Sequence, residues 1–294
     1  MRRIAVALLL IMQARAVYAG IALSDDRGRQ MVFAVPAQRI VSLAPHLSEL
    51  LFAAGAGAKL VGTVAHSDYP EQARKLPVVG DSASLDIERI LALKPDVVLA
   101  WLSGNPPGEI SKLEQLGIRV LVTEPRSLGR IAEQIVLFGR LAGTEQAADA
   151  AAAQFRRDVE ALRRAYQGRR KVSVFYQVWH EPLMTVNGNQ VISEVIALCG
   201  GENIFAGSNV LVPNVSLEAV LAADPEVIVT GSEQSAAQDL NDWRQWRQLR
   251  AVRNGDLLAI PPDDISRPTP RLLNGARRLC AKLDHVRQGG KAVP

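Results

Sequence analysis

Two segments of this 294-residue chain decide its fold, Ile87-Glu-Arg-Ile-Leu-Ala-Leu-Lys-Pro-Asp-Val-Val-Leu99 and Leu217-Glu-Ala-Val-Leu-Ala-Ala-Asp-Pro-Glu-Val-Ile-Val229. Each reads as a short helix, a turn made of proline and an acidic residue, and a strand that is apolar throughout. Continuously apolar strands are typical of parallel sheets covered by helices on both faces. The pair therefore predicts two similarly built lobes, and a chance match of one short unit is the alternative.

The rest of the chain also alternates short apolar strands with helices, which predicts an α/β fold with mostly parallel sheets. An Ala-rich stretch without proline separates the two alternating regions and predicts one helix at residues 144–166, long enough to cross between lobes. Three further predictions follow the same pattern: a strand at residues 30–35, a helix at residues 243–249 and a terminal helix at residues 270–287. We therefore expect an N-terminal lobe at residues 20–142, a linking helix at residues 143–170 and a C-terminal lobe at residues 171–294.

The first nineteen residues have the pattern of a secretory signal peptide. Arg2 and Arg3 precede a short apolar run, and Val17 and Ala19 are small residues at the positions that precede a cleavage site. The apolar run is too short to span a bilayer, and the alternative is a buried N-terminal strand or helix. Because no cysteine follows the run to carry a lipid anchor, we expect a periplasmic protein that is soluble after cleavage.

Composition excludes several functional classes. Removing residues 1–19 leaves 31 basic residues (34 less three) against 30 acidic ones, so nothing favours a nucleic acid partner. The four histidines are scattered, and no metalloprotease, nucleophile-elbow or phosphate-loop motif is present, which argues against an enzyme and against a metal site. The two cysteines, Cys199 and Cys280, are expected to form a disulfide in an oxidising compartment.

Several motifs together resemble a known family of transport proteins. They are Arg39-Ile-Val-Ser-Leu-Ala-Pro-His-Leu-Ser-Glu49, Ser67-Asp-Tyr-Pro70, the two repeated segments, and Leu198-Cys-Gly-Gly-Glu-Asn-Ile-Phe205. They resemble the periplasmic vitamin B12 (cobalamin)-binding proteins of ABC importers, within the helical-backbone (class III) solute-binding proteins. The resemblance implies two Rossmann-like lobes joined by one long rigid helix, a corrinoid ligand in the cleft between them, no cofactor, and a monomer. Relatives in the wider class carry siderophores or haem, so a ferric siderophore or haem is the alternative ligand. A periplasmic metal-centre enzyme is a third, weaker alternative.

Four residues match the family's ligand contacts. Tyr69 lies in an irregular turn, and Trp101 ends a strand, where open α/β sheets bind ligands. Asp263 and Arg267 match positions that hydrogen-bond the amides at the corrinoid edge. The alternatives are a turn tyrosine packed on its own loop, a core tryptophan, and a surface Asp–Arg ion pair, which would stabilise the fold little.

The chain departs from the family at two aromatic positions. Ser82 and Val212 stand where the best-known members have tryptophan, and Trp179 is expected to compensate from another angle. His46, between Pro45 and Leu47, is a candidate ligand for cobalt or haem iron, although a solvent-facing histidine at the start of a helix is the commoner case.

Glu88 and Glu218 are the paired acidic residues of the repeated segments. In the family, one exposed glutamate on each lobe docks onto arginines of the importer's membrane subunits, and the symmetric placement here predicts the same role. Both residues also open a helix, where a carboxylate is favoured by the positive end of the helix dipole, and this is the alternative explanation.

Overall fold

A computed structural model describes residues 20–81, 84–231 and 236–289. The chain forms two α/β lobes, each built on a four-stranded parallel sheet. The predicted signal peptide, residues 1–19, lies outside the described residues. Within the described residues, no helix combines the length and apolar character needed to cross a membrane.

The N-terminal lobe contains an antiparallel hairpin and a parallel sheet in the order β4-β3-β5-β6. The hairpin strands are β1 (Ile21–Ser24) and β2 (Gln30–Phe33). The sheet strands are β3 (Ile40–Ser42), β4 (Leu60–Gly62), β5 (Val97–Trp101) and β6 (Val120–Thr123). The helices are α1 (Pro45–Ala53), α2 (Ile87–Ala92), α3 (Pro107–Gln115) and α4 (Leu128–Ala142), with short 3₁₀ turns at Gly57–Lys59 and Glu71–Lys75.

The long Ala-rich stretch forms α5 (Glu145–Tyr166), a helix of 22 residues. At about 1.5 Å of rise per residue it is about 33 Å long. Gly143 separates it from α4 because its left-handed conformation, with φ at 67°, ends α4. Helix α5 packs against α4 and α1 of the N-terminal lobe and continues directly towards the second sheet.

The C-terminal lobe has a parallel sheet in the order β10-β9-β7-β8. Its strands are β7 (Val172–Gln177), β8 (Gly201–Asn203), β9 (Val227–Thr230) and β10 (Leu257–Ala259). Its helices are α6 (Val191–Leu198), α7 (Leu217–Ala223), α8 (Ala236–Arg244), α9 (Arg250–Arg253), α10 (Pro262–Ile265) and α11 (Leu272–Arg287). Helices α6 and α11 both contact α5, which therefore touches both lobes.

The repeated segments form equivalent units of the two lobes. Helix α2 leads into β5, and α7 leads into β9, and both strands lie inside their sheets. The side chains of Asp86 and Ser216 cap the two helices by accepting a hydrogen bond from the backbone N–H three residues later. All four residues of β9 and the first four of β5 are buried, because helices cover both faces of each sheet.

Other local predictions had mixed outcomes. The strand predicted at residues 30–35 and the terminal helix predicted at residues 270–287 are present as β2 and α11. The helix predicted at residues 243–249 was wrong, because α8 ends at Arg244. Trp243, Trp246 and Leu249 are instead joined by successive turns, in which a backbone N–H bonds the carbonyl three residues earlier. Successive turns place an apolar residue at every third position, as one face of a helix does. The apolar spacing of this segment therefore does not distinguish turns from a helix.

The predicted disulfide is confirmed. Cys199, at the C-terminal end of α6, is bonded to Cys280 of α11 with an S–S distance of 2.02 Å. Both cysteines are fully buried in the core where α6 and α11 pack together. The bond therefore joins two elements that are 81 residues apart in sequence and stabilises their packing in the C-terminal lobe.

Candidate functional site

A cleft of about 460 Å³ lies between the two lobes. It opens at the carboxyl ends of β5, β6 and β7, the edge at which open α/β sheets bind ligands. The N-terminal lobe contributes Trp101, Ser103, Glu124 and Arg126 to its wall, and the C-terminal lobe contributes Tyr176, Val178, Ile192, Val212, Ser266 and Pro268.

Trp101 is half-buried at the end of β5 and forms one wall of the cleft. The side chain of Asn105 closes the following turn, since its Oδ1 accepts from the Trp101 backbone N–H at 2.7 Å and its Nδ2 donates to the Leu43 carbonyl at 2.9 Å. The indole Nε1 donates to Glu124 Oε1 at 3.3 Å, and Glu124 also accepts from the Ser103 backbone N–H. These contacts hold the tryptophan in one orientation, as its predicted role in ligand binding requires.

His46 lies directly behind Trp101, with the two ring centroids 5.1 Å apart in an edge-to-face arrangement. The residue is 3% exposed, and its Nε2 atom has no hydrogen-bond partner among the described residues. Burial lowers the pKa of His46 to about 3, and the charge of nearby Arg267 acts in the same direction. The imidazole is therefore neutral and packs against the tryptophan.

The C-terminal side of the cleft is mostly apolar around one tyrosine. Tyr176, near the end of β7, is buried, and burial raises the pKa of its phenol to about 12 while Ser266 accepts or donates a hydrogen bond at 3.3 Å. Val212 lies in the same wall, at a position where the family resemblance implies tryptophan. Ser82, the other such position, lies outside the described residues.

Next to the cleft, one buried carboxylate joins the two lobes. Glu49 Oε1, from α1, accepts hydrogen bonds from Arg267 Nη1 at 2.9 Å and Arg271 Nη1 at 3.3 Å. Its Oε2 accepts from Thr269 Oγ1 at 3.0 Å. The side chain of Glu49 is only 2% exposed, so the carboxylate is held almost entirely by groups of the other lobe.

Arg267 has partners in both lobes. Besides Glu49, its guanidinium donates to Asp68 Oδ1 at 3.0 Å and to the His66 carbonyl at 3.1 Å, and it lies 2.8 Å from Asp263 Oδ1. Burial alone would lower the pKa of Arg267, but its carboxylate partners raise it, so the group stays charged. The predicted ligand residues Asp263 and Arg267 thus form an ion pair in this structure, inside a partly buried cluster between the lobes.

Tyr69 and Trp179 lie outside the wall described above. Tyr69 is 48% exposed, and the guanidinium of Arg271 lies over its ring at 4.5 Å from the centroid, so it borders the same interlobe cluster. Trp179 is 62% exposed and donates its indole N–H to the Glu181 carbonyl. The structure therefore brings Tyr69 together with Arg271, and it leaves Trp179 on the surface of the C-terminal lobe.

Glu88 and Glu218 occupy equivalent places on the two lobes. Each is exposed in the first turn of its helix, α2 or α7. The cap at each helix start is already provided by Asp86 or Ser216. The two carboxylates therefore stay available at the surface, as a docking role requires.

Some residues of the cleft and cluster were not found from the sequence. Glu124 and Tyr176 follow or end a buried strand, and the same rule that indicated Trp101 could have indicated them. Glu49, Thr269 and Arg271 carried no such signal, because their contacts join positions more than 200 residues apart. Across the described residues, no group of three or more side chains is arranged to hold a metal ion.

The sequence and the fold are similar to those of known periplasmic proteins. Residues 40–263 match the family described as periplasmic binding protein. The chain belongs to this family. It is 42% identical to the vitamin B12-binding protein of Vibrio cholerae over 249 residues, covering 84% of this chain and 90% of that protein.

Two solved structures are also similar to it. The periplasmic vitamin B12-binding protein of Vibrio cholerae superposes with a TM-score of 0.80 at 40% identity, covering 86% of this chain and 99% of that one. A periplasmic haem-binding protein from Pseudomonas aeruginosa superposes with a TM-score of 0.73 at 28% identity, covering 83% and 92% of the two chains. These relatives are binding proteins, and the predicted fold of two lobes with a cleft between them is confirmed.

Proposed function

We propose that this protein binds a corrinoid such as vitamin B12 in the interlobe cleft and delivers it to an ABC importer. The observation that carries the proposal is the cleft itself, with Trp101 on one side and the apolar wall around Tyr176 and Val212 on the other. A flat macrocycle with an amide-bearing edge needs aromatic and aliphatic faces for contact and a few polar groups for orientation. The name and the 42% identity of the Vibrio cholerae relative support the same ligand.

The size of the cleft limits how the ligand is held. A corrinoid with its side chains and nucleotide loop is larger than the cleft of about 460 Å³, which is open to solvent. The proposal therefore requires that part of the ligand remains outside the cleft, or that the lobes separate slightly on binding. Val212 stands where the family resemblance implies tryptophan, so the wall is aliphatic at this position.

The polar contacts we propose come from Tyr69, Asp263 and Arg267. Four hydrogen-bond or ion-pair contacts already engage the Nη atoms of Arg267. To bind an amide of the ligand, Arg267 would have to give up its hydrogen bond to Asp68 or to the His66 carbonyl. The buried bond to Glu49 would remain, so the arginine would stay anchored while the ligand replaced an exposed partner.

We propose delivery to the importer through Glu88 and Glu218, with residues 1–19 removed as a signal peptide and the mature protein acting as a soluble periplasmic monomer without a nucleic acid partner. Exposure of both carboxylates on equivalent helices supports this part of the proposal. We propose that the transport protein consists of an N-terminal lobe at residues 20–142, a linking helix at residues 143–170 and a C-terminal lobe at residues 171–294.

Calorimetric titration of the mature chain, from Gly20 onward, tests the ligand. We expect one-to-one binding of cyanocobalamin and weak or no binding of haemin and of a ferric siderophore. Trp101→Ala should weaken corrinoid binding by about 10- to 100-fold, because large buried aromatic anchors dominate such interfaces. Tyr166→Ala, an aromatic deletion at the end of α5 outside the cleft, is the control. Tight haemin or siderophore binding without corrinoid binding would reject the corrinoid and keep the family.

A further inference from the structure

Among the described residues, the hydrogen-bond partners of the buried acid Glu49 all come from the opposite lobe. It lies in α1, and its three hydrogen-bond donors, Arg267, Thr269 and Arg271, follow 218 to 222 residues later in the chain. Burying a carboxylate is unfavourable unless it is both paired with a cation and hydrogen-bonded. Glu49 meets that condition only when the two lobes are in contact, so its environment depends on the lobe arrangement.

The bonds to Glu49 fix the directions of two guanidinium groups. Arg267 and Arg271 share Oε1 at 2.9 and 3.3 Å, and Thr269, between them in sequence, binds Oε2 at 3.0 Å. Both carboxylate oxygens are thus occupied, and neither arginine can turn without breaking a charge-assisted hydrogen bond.

The two arginines in turn contact the residues proposed to meet the ligand. Arg271 lies over the Tyr69 ring at 4.5 Å, and Arg267 pairs with Asp263 at 2.8 Å. Ser266 and Pro268, on either side of Arg267, line the cleft, whereas Glu49 itself does not. Glu49 therefore lies behind the ligand site and can act on the ligand only through the arginines.

We propose that Glu49 is a positioning residue of the ligand site, which holds Arg267 and Arg271 at the cleft edge and, through Arg271, the ring of Tyr69. The role rests on the proposed corrinoid function. Both lobes then contribute to the polar end of the site, because Glu49 comes from α1 and the two arginines come from the segment before α11. Hydrogen-bonding groups on the ligand then meet guanidinium groups that are already oriented, which lowers the entropic cost of binding.

The test compares the affinity of the mature chain for cyanocobalamin in four proteins by titration calorimetry: wild type, Glu49→Gln, Arg267→Ala and the double variant. We expect Glu49→Gln to weaken binding about 10-fold in the wild-type background and less than about 3-fold in the Arg267→Ala background, because residues that act through one another are not additive. Glu160→Gln is the matched control, since Glu160 also pairs with two arginines, Arg163 and Arg164, but lies partly exposed on α5. It should bind like wild type.

Equal losses from Glu49→Gln in both backgrounds, or no loss in either, would overturn the positioning role while leaving the proposed function intact. If wild type itself binds no corrinoid, the proposed function fails and the positioning role fails with it. Circular dichroism checks that each variant is folded. Should Glu49→Gln not fold, Glu49→Asp keeps the charge and withdraws the carboxylate by one methylene. Positioning then predicts weaker binding, and wild-type affinity of this variant would overturn the proposal.

Discussion

His46 should make the folded state lose stability as the solution is acidified below about pH 6.5. The side chain is buried, its Nε2 atom has no hydrogen-bond partner among the described residues, and Arg267 places a positive charge nearby. Burial accordingly lowers the pKa of His46 to about 3, against 6.5 for an exposed histidine. The unfolded chain takes up a proton at this residue in mild acid, whereas the folded chain does not.

The direction and magnitude of this loss of stability follow from the difference in bound protons between the folded and unfolded states. Since the unfolded state binds more protons between pH 3 and pH 6.5, the contribution of His46 is fully present above that range and is lost as the pH falls through it. For a pKa of 3 in the folded state, the loss between pH 7 and pH 5 is about 2 kcal/mol. Glu49 acts in the opposite sense, because burial raises its pKa, and Asp68, whose pKa Arg267 lowers, acts mainly in stronger acid.

Urea unfolding at pH 7, 6 and 5 measures the effect, and comparison with His46→Leu isolates it from the other acids. Wild type should lose about 2 kcal/mol more than His46→Leu over this range. His180→Gln removes a half-exposed histidine outside the core and is the control variant. The same slope in wild type and His46→Leu would show that the buried imidazole is protonated in the folded protein, and the reasoning from burial would be wrong.

Three further predictions address the cleft, the docking surface and the disulfide. Gly104→Ala should weaken corrinoid binding about 10-fold without unfolding the lobe, since a β-carbon there would lie 1.8 Å from the Trp101 ring and displace it. Titration calorimetry measures the affinity, and a folded variant with unchanged affinity would contradict this reasoning. Glu88→Ala and Glu218→Ala should leave that affinity unchanged but reduce uptake in a transport assay with the cognate importer, each alone and more strongly together, and unchanged uptake would reject the docking role. Replacing both disulfide cysteines with alanine should lower the free energy of unfolding by up to about 4 kcal/mol in denaturant titrations, because the bond closes an 81-residue loop; unchanged stability would show that the unfolded state gains little from the release.

The sequence predicts the fold well where the information is local. The helix, Pro-acidic turn and strand of the repeated segments depend on neighbouring residues, and both units appear in the structure as α2 with β5 and α7 with β9. The hairpin strand β1 was not predicted, because four residues between the signal and a turn carry too little periodicity. The helix expected at residues 243–249 failed for a related reason, since consecutive turns give the same spacing of apolar residues.

The residues of the candidate site also differ in whether local sequence predicts them. Trp101 could be placed at a ligand cleft from its position at the end of a buried strand, and Tyr176 and Glu124 obey the same rule. The interlobe cluster could not, since the environment of Glu49 depends on the angle between two lobes and on residues at the far end of the chain. From sequence, Asp263 and Arg267 looked like either ligand contacts or an ion pair, and the structure shows that the ion pair exists within a network to which Glu49 and Asp68 also belong.

The same network bears on how far the lobes can move. Helix α5 joins them through the chain, and Glu49 joins them at a second place through buried hydrogen bonds. Separating the lobes widely would break the hydrogen bonds that Glu49 accepts from Arg267, Thr269 and Arg271, so this contact opposes wide opening. We therefore expect the ligand to enter by a small separation at the Trp101 side of the cleft, so that Glu88 and Glu218 keep nearly the same spacing with and without ligand.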